Sequence, residues 1–474
     1  MTASRTLPRL VVAGLSGGSG KTIVSLGLLL SAQHRGLRVR AFKKGPDYID
    51  AAWLTWATGH PARNLDTFLM GFESAVASFT LHAIPGGLNL IEGNRGLYDG
   101  LDAKGTHSTA ELAKALRAPV VLVVDATKVT RTAAALVLGC QRLDPNLEIA
   151  GVILNEVSGQ RHEQVLRQAI EATCGIPVLG ALPRVPTSTL LPERHLGLVI
   201  PQEHRGLEAL RANLQRLVEG CLDLEKLWAI SRLGPSLAPA EKTPPPLPEG
   251  HGLKVGYLQD SAFTFYYPEN LDMLRTAGAE VVPVSALLAT SLPEELDALY
   301  IGGGFPETHG EALSANRAFL ASVWRAADRG LPIYAECGGL MLLARAILWQ
   351  GHRYPMAGAL PFEVEVCANP QGHGYTELCV DTPNPFFPSG SILRGHEFHY
   401  SRILPEVDLP PTACAVRRGT GCYQGRDGVV MGNLWASYTH LHALATPEWA
   451  QGLLNAARNP RSAREQQGSL DAHL

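Results

Sequence analysis

Short, nearly unbroken apolar runs recur along the first half of the chain. They are Leu10-Val11-Val12-Ala13, Leu88-Asn89-Leu90-Ile91, Val120-Val121-Leu122-Val123-Val124, Ile149 to Leu154 and Ile176-Pro177-Val178-Leu179. Stretches of helical character such as Ile23-Val24-Ser25-Leu26-Gly27-Leu28-Leu29-Leu30 separate them. Apolar strands alternating with helices predict a parallel sheet covered on both faces. A proline-rich stretch, from Leu233-Gly234-Pro235 through Pro244-Pro245-Pro246-Leu247-Pro248-Glu249-Gly250, interrupts the pattern and reads as a semi-extended linker. A second α/β unit then starts at Leu253-Lys254-Val255-Gly256-Tyr257-Leu258. The division predicted is 1–230, a linker over 231–250, a second domain over 251–447, and a C-terminal helix with a frayed tail over 448–474.

Two strand ends carry chemistry. Leu10–Ala13 runs into Gly14-Leu15-Ser16-Gly17-Gly18-Ser19-Gly20-Lys21-Thr22 and then a helix. Strand, glycine loop and helix start are the context a phosphate loop requires. Amides around Gly18, Ser19 and Gly20 cradle phosphates, Lys21 reaches the outer ones, and the Thr22 hydroxyl suits Mg²⁺. The common spacing wants glycine at position 15, where Leu15 stands; Gly14 lies one residue earlier. Two further strands end in polar loops, Lys43-Lys44-Gly45-Pro46-Asp47-Tyr48-Ile49-Asp50 and Glu92-Gly93-Asn94-Arg95-Gly96-Leu97-Tyr98-Asp99. In an open parallel sheet such loops converge beyond the carboxyl ends of the strands. Asp47 and Glu92 are therefore candidate Mg²⁺ ligands, since the ion takes hard oxygen donors.

In the second unit, Leu331-Pro332-Ile333-Tyr334-Ala335-Glu336-Cys337-Gly338-Gly339 drives a strand straight into a cysteine and two glycines. That is a nucleophile-elbow pattern. The Gly338 amide is placed to hold an oxyanion, and Gly302-Gly303-Gly304, ending the strand Leu299-Tyr300-Ile301, offers a second amide at Gly304. A thiol nucleophile needs a base. His440 and His442 both lie downstream.

The order of glycine strand end, cysteine elbow and late histidine resembles the class I glutamine amidotransferases, a flavodoxin-like α/β fold. The long glycine spacing of the phosphate loop is similar to that of dethiobiotin synthetase. Lys43–Asp50, Ala57–Asp66, Glu92–Asp99, Pro192–Leu198, Tyr266–Leu271 and Arg394–Ser401 resemble the cobyrinic acid a,c-diamide synthases. The likeness spans about residues 8 to 447. It implies an ATP-, Mg²⁺- and L-glutamine-dependent ligase, which amidates the a- and c-acetate carboxylates of cobyrinic or hydrogenobyrinic acid in cobalamin biosynthesis. It makes Cys337 the nucleophile and His440 the base. It gives Lys43, Tyr48, Asp50, Arg63 and Asp99 to the corrinoid substrate. Asn155, just past a strand, reads as an adenine contact by the same resemblance and equally as a turn asparagine. Commoner amidotransferases carry His-x-Glu, the Glu orienting the imidazole. Here the third position is His442, so the orienting group is not named by the sequence. Carboxylate activation as an acyl phosphate is the implied chemistry, with a closed passage between domains as the expected route for ammonia.

Composition narrows the alternatives. The chain has 474 residues, 46% hydrophobic and 18% charged, with a net charge of −3. It can bury large cores, and it carries no overall charge that would attract nucleic acid or a membrane surface. No apolar run suits a signal peptide or a spanning helix, and eight cysteines are scattered without a C-x-x-C pair. The expectation is a cytoplasmic protein with reduced thiols; a homodimer is left open. His396-Glu397-Phe398-His399 has i, i+3 histidines and reads as a strand, not as a zinc helix. Two rivals stand beside the main reading: amidation of nickel–sirohydrochlorin, and a phosphate-loop ATPase switch with an inert second domain.

Overall fold

The computed structural model describes residues 6–185, 199–237, 249–404 and 408–459, with the backbone of 193–194 and 197–198. Most of the Pro192–Leu198 motif, the middle of the linker and the tail beyond Asn459 lie outside the described residues. The chain divides into two compact units, Met1–Lys242 and Thr243–Leu474.

The first unit is built on seven parallel strands: β1 Arg9–Gly14, β2 Val39–Lys44, β3 Arg63–Leu65, β4 Leu88–Glu92, β5 Val120–Asp125, β6 Ile149–Val157 and β7 Val178–Pro183. Their order is β3-β2-β4-β1-β5-β6-β7. Helices fill the crossovers, as parallel pairing demands. Leu10 and Val12 of β1 and Val121 and Val123 of β5 pack into one cluster with the helix Lys21–His34. Val11, Ala13, Val120, Leu122 and Val124 are equally buried on the other face. This is why these strands read as unbroken apolar runs. β1 lies between β4 and β5, whereas its successor in sequence, β2, lies beyond β4. The chain thus reverses direction across the sheet at β1, and the crevice for a ligand opens at that strand's carboxyl end.

The second unit carries a ten-stranded mixed sheet. Five strands are parallel: Glu280–Val284, Lys254–Leu258, Ala298–Ile301, Ile333–Glu336 and Leu434–Ser437. The rest pair antiparallel, ending at His440–Leu441 beside Ile392–His399. Side chains alternate between two cores. Leu299, Ile301, Ile333, Ala335, Leu434 and Ala436 enter one; Ala298, Tyr300, Tyr334 and Trp435 enter the other. Ile392–His399 is a strand, as expected for the segment around His396 and His399. Among the described residues no helix is long and apolar enough to cross a membrane.

Candidate active site

The phosphate loop follows β1 and ends at Gly20, which adopts φ 94° and opens the helix Lys21–His34. Gly18 also has positive φ, 73°, a region that glycine enters without penalty. The displaced first glycine has a steric reason. A Cβ on Gly14 would lie 2.1 Å from Ser19 Oγ, so the longer loop folds its own serine against the strand end. Lys21 Nζ donates to the Ser16 carbonyl at 2.9 Å. Burial, then Lys43, holds Lys21 below the ordinary lysine range.

The three loops meet as the topology requires. The Leu97 amide donates to the Gly14 carbonyl at 2.7 Å. Thr22 Oγ1 donates to Glu92 Oε1 at 3.0 Å. A Cβ on Gly45 would lie 2.9 Å from Asn94 Nδ2. Lys43, expected at the substrate, turns its ammonium to Asp50 at 2.5 Å, Glu92 at 2.9 Å and the Gly93 carbonyl at 3.1 Å. Burial pulls Lys43 down. Asp50, Glu92 and Asp47 outweigh it and hold the ammonium above the usual lysine range. Asp47 caps the helix Tyr48–Thr58 by accepting the Asp50 amide. Burial, reinforced by Asp50, pushes its carboxyl up to about 7. Asp99 accepts the Gly96 amide at 2.8 Å and lies in the field of Lys21. Tyr48 starts its helix and is buried. Arg63 opens β3 opposite Phe42, in the field of Arg40.

Asn155 donates to the Ser19 carbonyl at 3.1 Å, and its amide group occupies the space a Cβ on Gly20 would need. It braces the phosphate loop. The donor set suits Mg²⁺: the Thr22 hydroxyl and the carboxylates of Glu92 and Asp47 are hard oxygens at the loop edge. The second oxygen of Glu92 is buried beside the Ser25 hydroxyl.

In the second unit Cys337 sits between Ile333–Glu336 and the short helix Gly338–Leu343, at φ 48°, ψ −100°. That conformation costs a non-glycine residue about 1–3 kcal/mol. The Cys337 amide donates to the Ser437 carbonyl at 2.8 Å, and its carbonyl accepts the Met341 amide at 3.1 Å. These bonds hold the elbow. A Cβ on Gly338 would lie 3.0 Å from the Gly304 nitrogen, so the two glycines offered as oxyanion donors abut. A Cβ on Gly303 would lie 2.6 Å from His440 Cε1. His440 and the elbow thus converge on one glycine strand end. Burial, then the carboxylate of Glu307, pushes the Cys337 thiol well above the usual range, with Glu336 and Glu397 adding to it. A thiol raised in this way depends on a base to take its proton when it attacks.

His440 rather than His442 faces this centre. His442 packs on the Tyr267 ring, centroids 4.6 Å apart, and its Nε2 lies 3.5 Å from Glu269. Asp427 accepts the Tyr438 and Thr439 amides just before His440. Asn270 donates to the Leu441 carbonyl and accepts the Ala443 amide just after it. The sequence did not reveal Glu336, whose Oε2 lies 3.3 Å from His440 Nδ1. The one local signal was a carboxylate directly before Cys337, on an otherwise apolar strand; nothing in it names His440. Glu397 of the His396–His399 segment accepts the Thr420 and Gly421 amides, and His399 stacks on Tyr438 with centroids 3.7 Å apart.

A nucleotide-binding α/β unit and a cysteine-elbow amidotransferase unit on one chain define a glutamine-using, amide-forming ligase. Residues 10–199 match the CobQ/CobB/MinD/ParA nucleotide binding domain, and residues 254–448 match the CobB/CobQ-like glutamine amidotransferase domain. The chain is 44% identical over 449 residues to a cobyrinate a,c-diamide synthase of Magnetococcus marinus, covering 94% of this chain and 96% of that one. Proteins of the same name from Dehalococcoides mccartyi and Methanosarcina acetivorans are 39% and 38% identical. These alignments cover 95% and 98% of this chain, and 98% of each relative. The chain belongs to the cobyrinate a,c-diamide synthase family. That membership sets aside the ATPase switch with an inert second domain.

Proposed function

We propose that the protein amidates the a- and c-acetate carboxylates of cobyrinic acid, or of metal-free hydrogenobyrinic acid, in cobalamin biosynthesis, using ATP and glutamine. The observation that carries this reading is the 44% identity over 96% of a relative named for that reaction. The paired sites agree with it.

A carboxylate oxygen is a poor leaving group. Its attack on the γ-phosphorus of ATP releases ADP and makes an acyl phosphate. Ammonia then attacks the carbonyl carbon, phosphate leaves, and the nitrogen loses one proton to give the amide. Phosphoryl transfer is catalysed by positioning and charge neutralisation, which the loop amides of Gly18, Ser19 and Gly20 and the Lys21 ammonium supply. Thr22, Glu92 and Asp47 would hold Mg²⁺, which would supply positive charge to offset that of the phosphate oxygens. Lys43 fixes Asp50 and Glu92 by pairing with both. Tyr48, Asp50, Arg63 and Asp99 are the proposed substrate contacts, and Asn155 the proposed nucleotide contact.

At the second site Cys337 Sγ attacks the glutamine side-chain carbonyl while His440 takes the thiol proton. The proton passes to the departing nitrogen, ammonia leaves, and water clears the thioester to glutamate. Gly304 and Gly338 amides face the developing oxyanion.

The test is division of labour. Cys337→Ala and His440→Ala should lose glutamine-dependent amidation. Both should keep ATP-dependent amidation when ammonium is supplied at mildly alkaline pH. Failure of ammonium to rescue either variant overturns the two-site scheme. Turnover compared on cobyrinic acid, hydrogenobyrinic acid and nickel–sirohydrochlorin decides the macrocycle; exclusive use of the last overturns the cobalamin assignment.

A further inference from the structure

We propose that Glu336 is the positioning residue for His440, doing from the strand before the nucleophile what a carboxylate two residues after the histidine does in commoner amidotransferases. The inference rests on the glutaminase reading of Cys337 and His440 given above.

The geometry is specific. Glu336 Oε2 lies 3.3 Å from His440 Nδ1. Its Oε1 accepts the Leu441 amide at 3.1 Å, fixing the backbone next to the imidazole. Tyr300 OH donates to Oε2 at 3.1 Å, and Asn270 Nδ2 donates to Tyr300 OH at 3.2 Å. Glu336 is fully buried and His440 is 2% exposed, so this pairing is not diluted by solvent. A carboxylate at Nδ1 selects the tautomer with its proton there. Nε2 is then the bare nitrogen. It faces the glycine strand end, 3.4 Å from where a Cβ on Gly303 would sit. As Sγ attacks the glutamine carbonyl, its proton moves to Nε2, and the imidazolium so formed lies against the Glu336 carboxylate until the proton passes to the leaving nitrogen.

His396 completes the arrangement. Its ring stacks on His440 at 5.1 Å and 25°, and Tyr267 OH lies 3.2 Å from its Nδ1. Burial, with His440 and His373 nearby, holds His396 well below the usual histidine range. Two stacked imidazoles in one buried pocket disfavour a second positive charge beside His440. Glu336 follows Tyr334 on the aromatic side of the strand, so the sheet carries it there without any loop.

Glu336→Gln tests this, because glutamine keeps the shape and loses the charge. Glutaminase kcat should fall about 10²-fold or more, by analogy with neutralising the carboxylate of a hydrolase triad, with KM for glutamine moving less than about threefold. Ammonium-dependent amidation, read in the same preparation, reports whether the fold is intact. In a His440→Ala background, adding Glu336→Gln should cost nothing further, since the two act as a unit. If Glu336→Gln misfolds, Tyr300→Phe removes one donor to the carboxylate and should lower kcat about 3- to 10-fold with KM unchanged. Wild-type-like kcat in folded Glu336→Gln overturns the proposal, as does an independent, multiplicative loss in the double variant. If Cys337→Ala and His440→Ala themselves retain glutamine hydrolysis, the glutaminase assignment has failed instead.

Discussion

Lys43 Nζ and Glu92 Oε1 lie 2.9 Å apart with lysine 1% exposed and glutamate fully buried, and the same ammonium reaches Asp50. One cation thus holds the acidic edges of two loops beside the phosphate loop. Removing it leaves carboxylates buried without compensation. Lys43→Met should destabilise the first unit by about 3–5 kcal/mol and abolish ATP-dependent amidation. Urea unfolding followed by activity checks this; a melt and turnover like the parent's contradict it.

Lys21→Ala removes the outer-phosphate cation. Amidation should fall at least about 10²–10³-fold with either glutamine or free ammonium as nitrogen source, the scale for losing one main electrostatic group. Steady-state assays with both donors decide it. Turnover surviving with ammonium would remove Lys21 from the reaction.

Asp47 gives a pH signature. Its carboxyl is pushed up to about 7 in the folded protein, against about 3.9 unfolded. Between those values the folded state holds a proton that the unfolded state has released, so its contribution to stability declines as pH rises from about 4 to about 7. Asp47→Asn removes that dependence and still caps the helix. The melting temperature of the variant minus that of the parent should grow across this window and then level off. Mg²⁺ titration of amidation should be right-shifted in the variant. Overlaying melts at every pH refute the first expectation, and overlaying Mg²⁺ curves refute the second.

Gly303→Ala places a methyl 2.6 Å from His440 Cε1. The ring is held by Glu336 and the stacked His396, so displacement falls on catalytic geometry. Glutamine-dependent turnover should drop roughly 10²-fold, the scale for a 1 Å error, while ammonium still supports amidation. A glutaminase rate within twofold of the parent would show that His440 does not work at this strand end.

His442→Ala should leave glutaminase turnover within a few-fold of the parent and lower stability by about 1–3 kcal/mol, because it leaves Glu269 buried beside a void. If this variant instead matches Cys337→Ala while His440→Ala stays active, the base is His442.

Much of this molecule was legible in its sequence because it is written in local signals. Strands buried on both faces are mostly apolar, so β1, β4 and β5 announced themselves despite the buried Arg9 and Asn89. Glycines before Lys21 and after Cys337 mark backbone conformations or approaches that side chains obstruct. The loops' convergence followed from parallel topology alone. What stayed hidden depends on contacts between distant residues. Lys43 has the same sequence appearance as a substrate cation or a structural clamp; only the positions of Asp50 and Glu92 distinguish them. Glu336 lies 104 residues from His440, and no spacing rule connects two such positions. Asn155 could be read two ways because its partner, the Ser19 carbonyl, belongs to the far end of the unit's sequence. The shift of the Cys337 thiol arises from burial and from Glu307 and Glu397, none of which a motif encodes.

The amides of Tyr438, Thr439, Leu441 and Ala443 all end on the oxygens of buried side chains, Asp427, Glu336 and Asn270. A segment tied down in this way has no inexpensive local opening. Its backbone hydrogens exchange with solvent only when those side chains leave the core, which is close to global unfolding of the unit. Deuterium uptake at residues 438–443 is therefore a clock for the stability of the whole second unit, carried by the very stretch that bears His440.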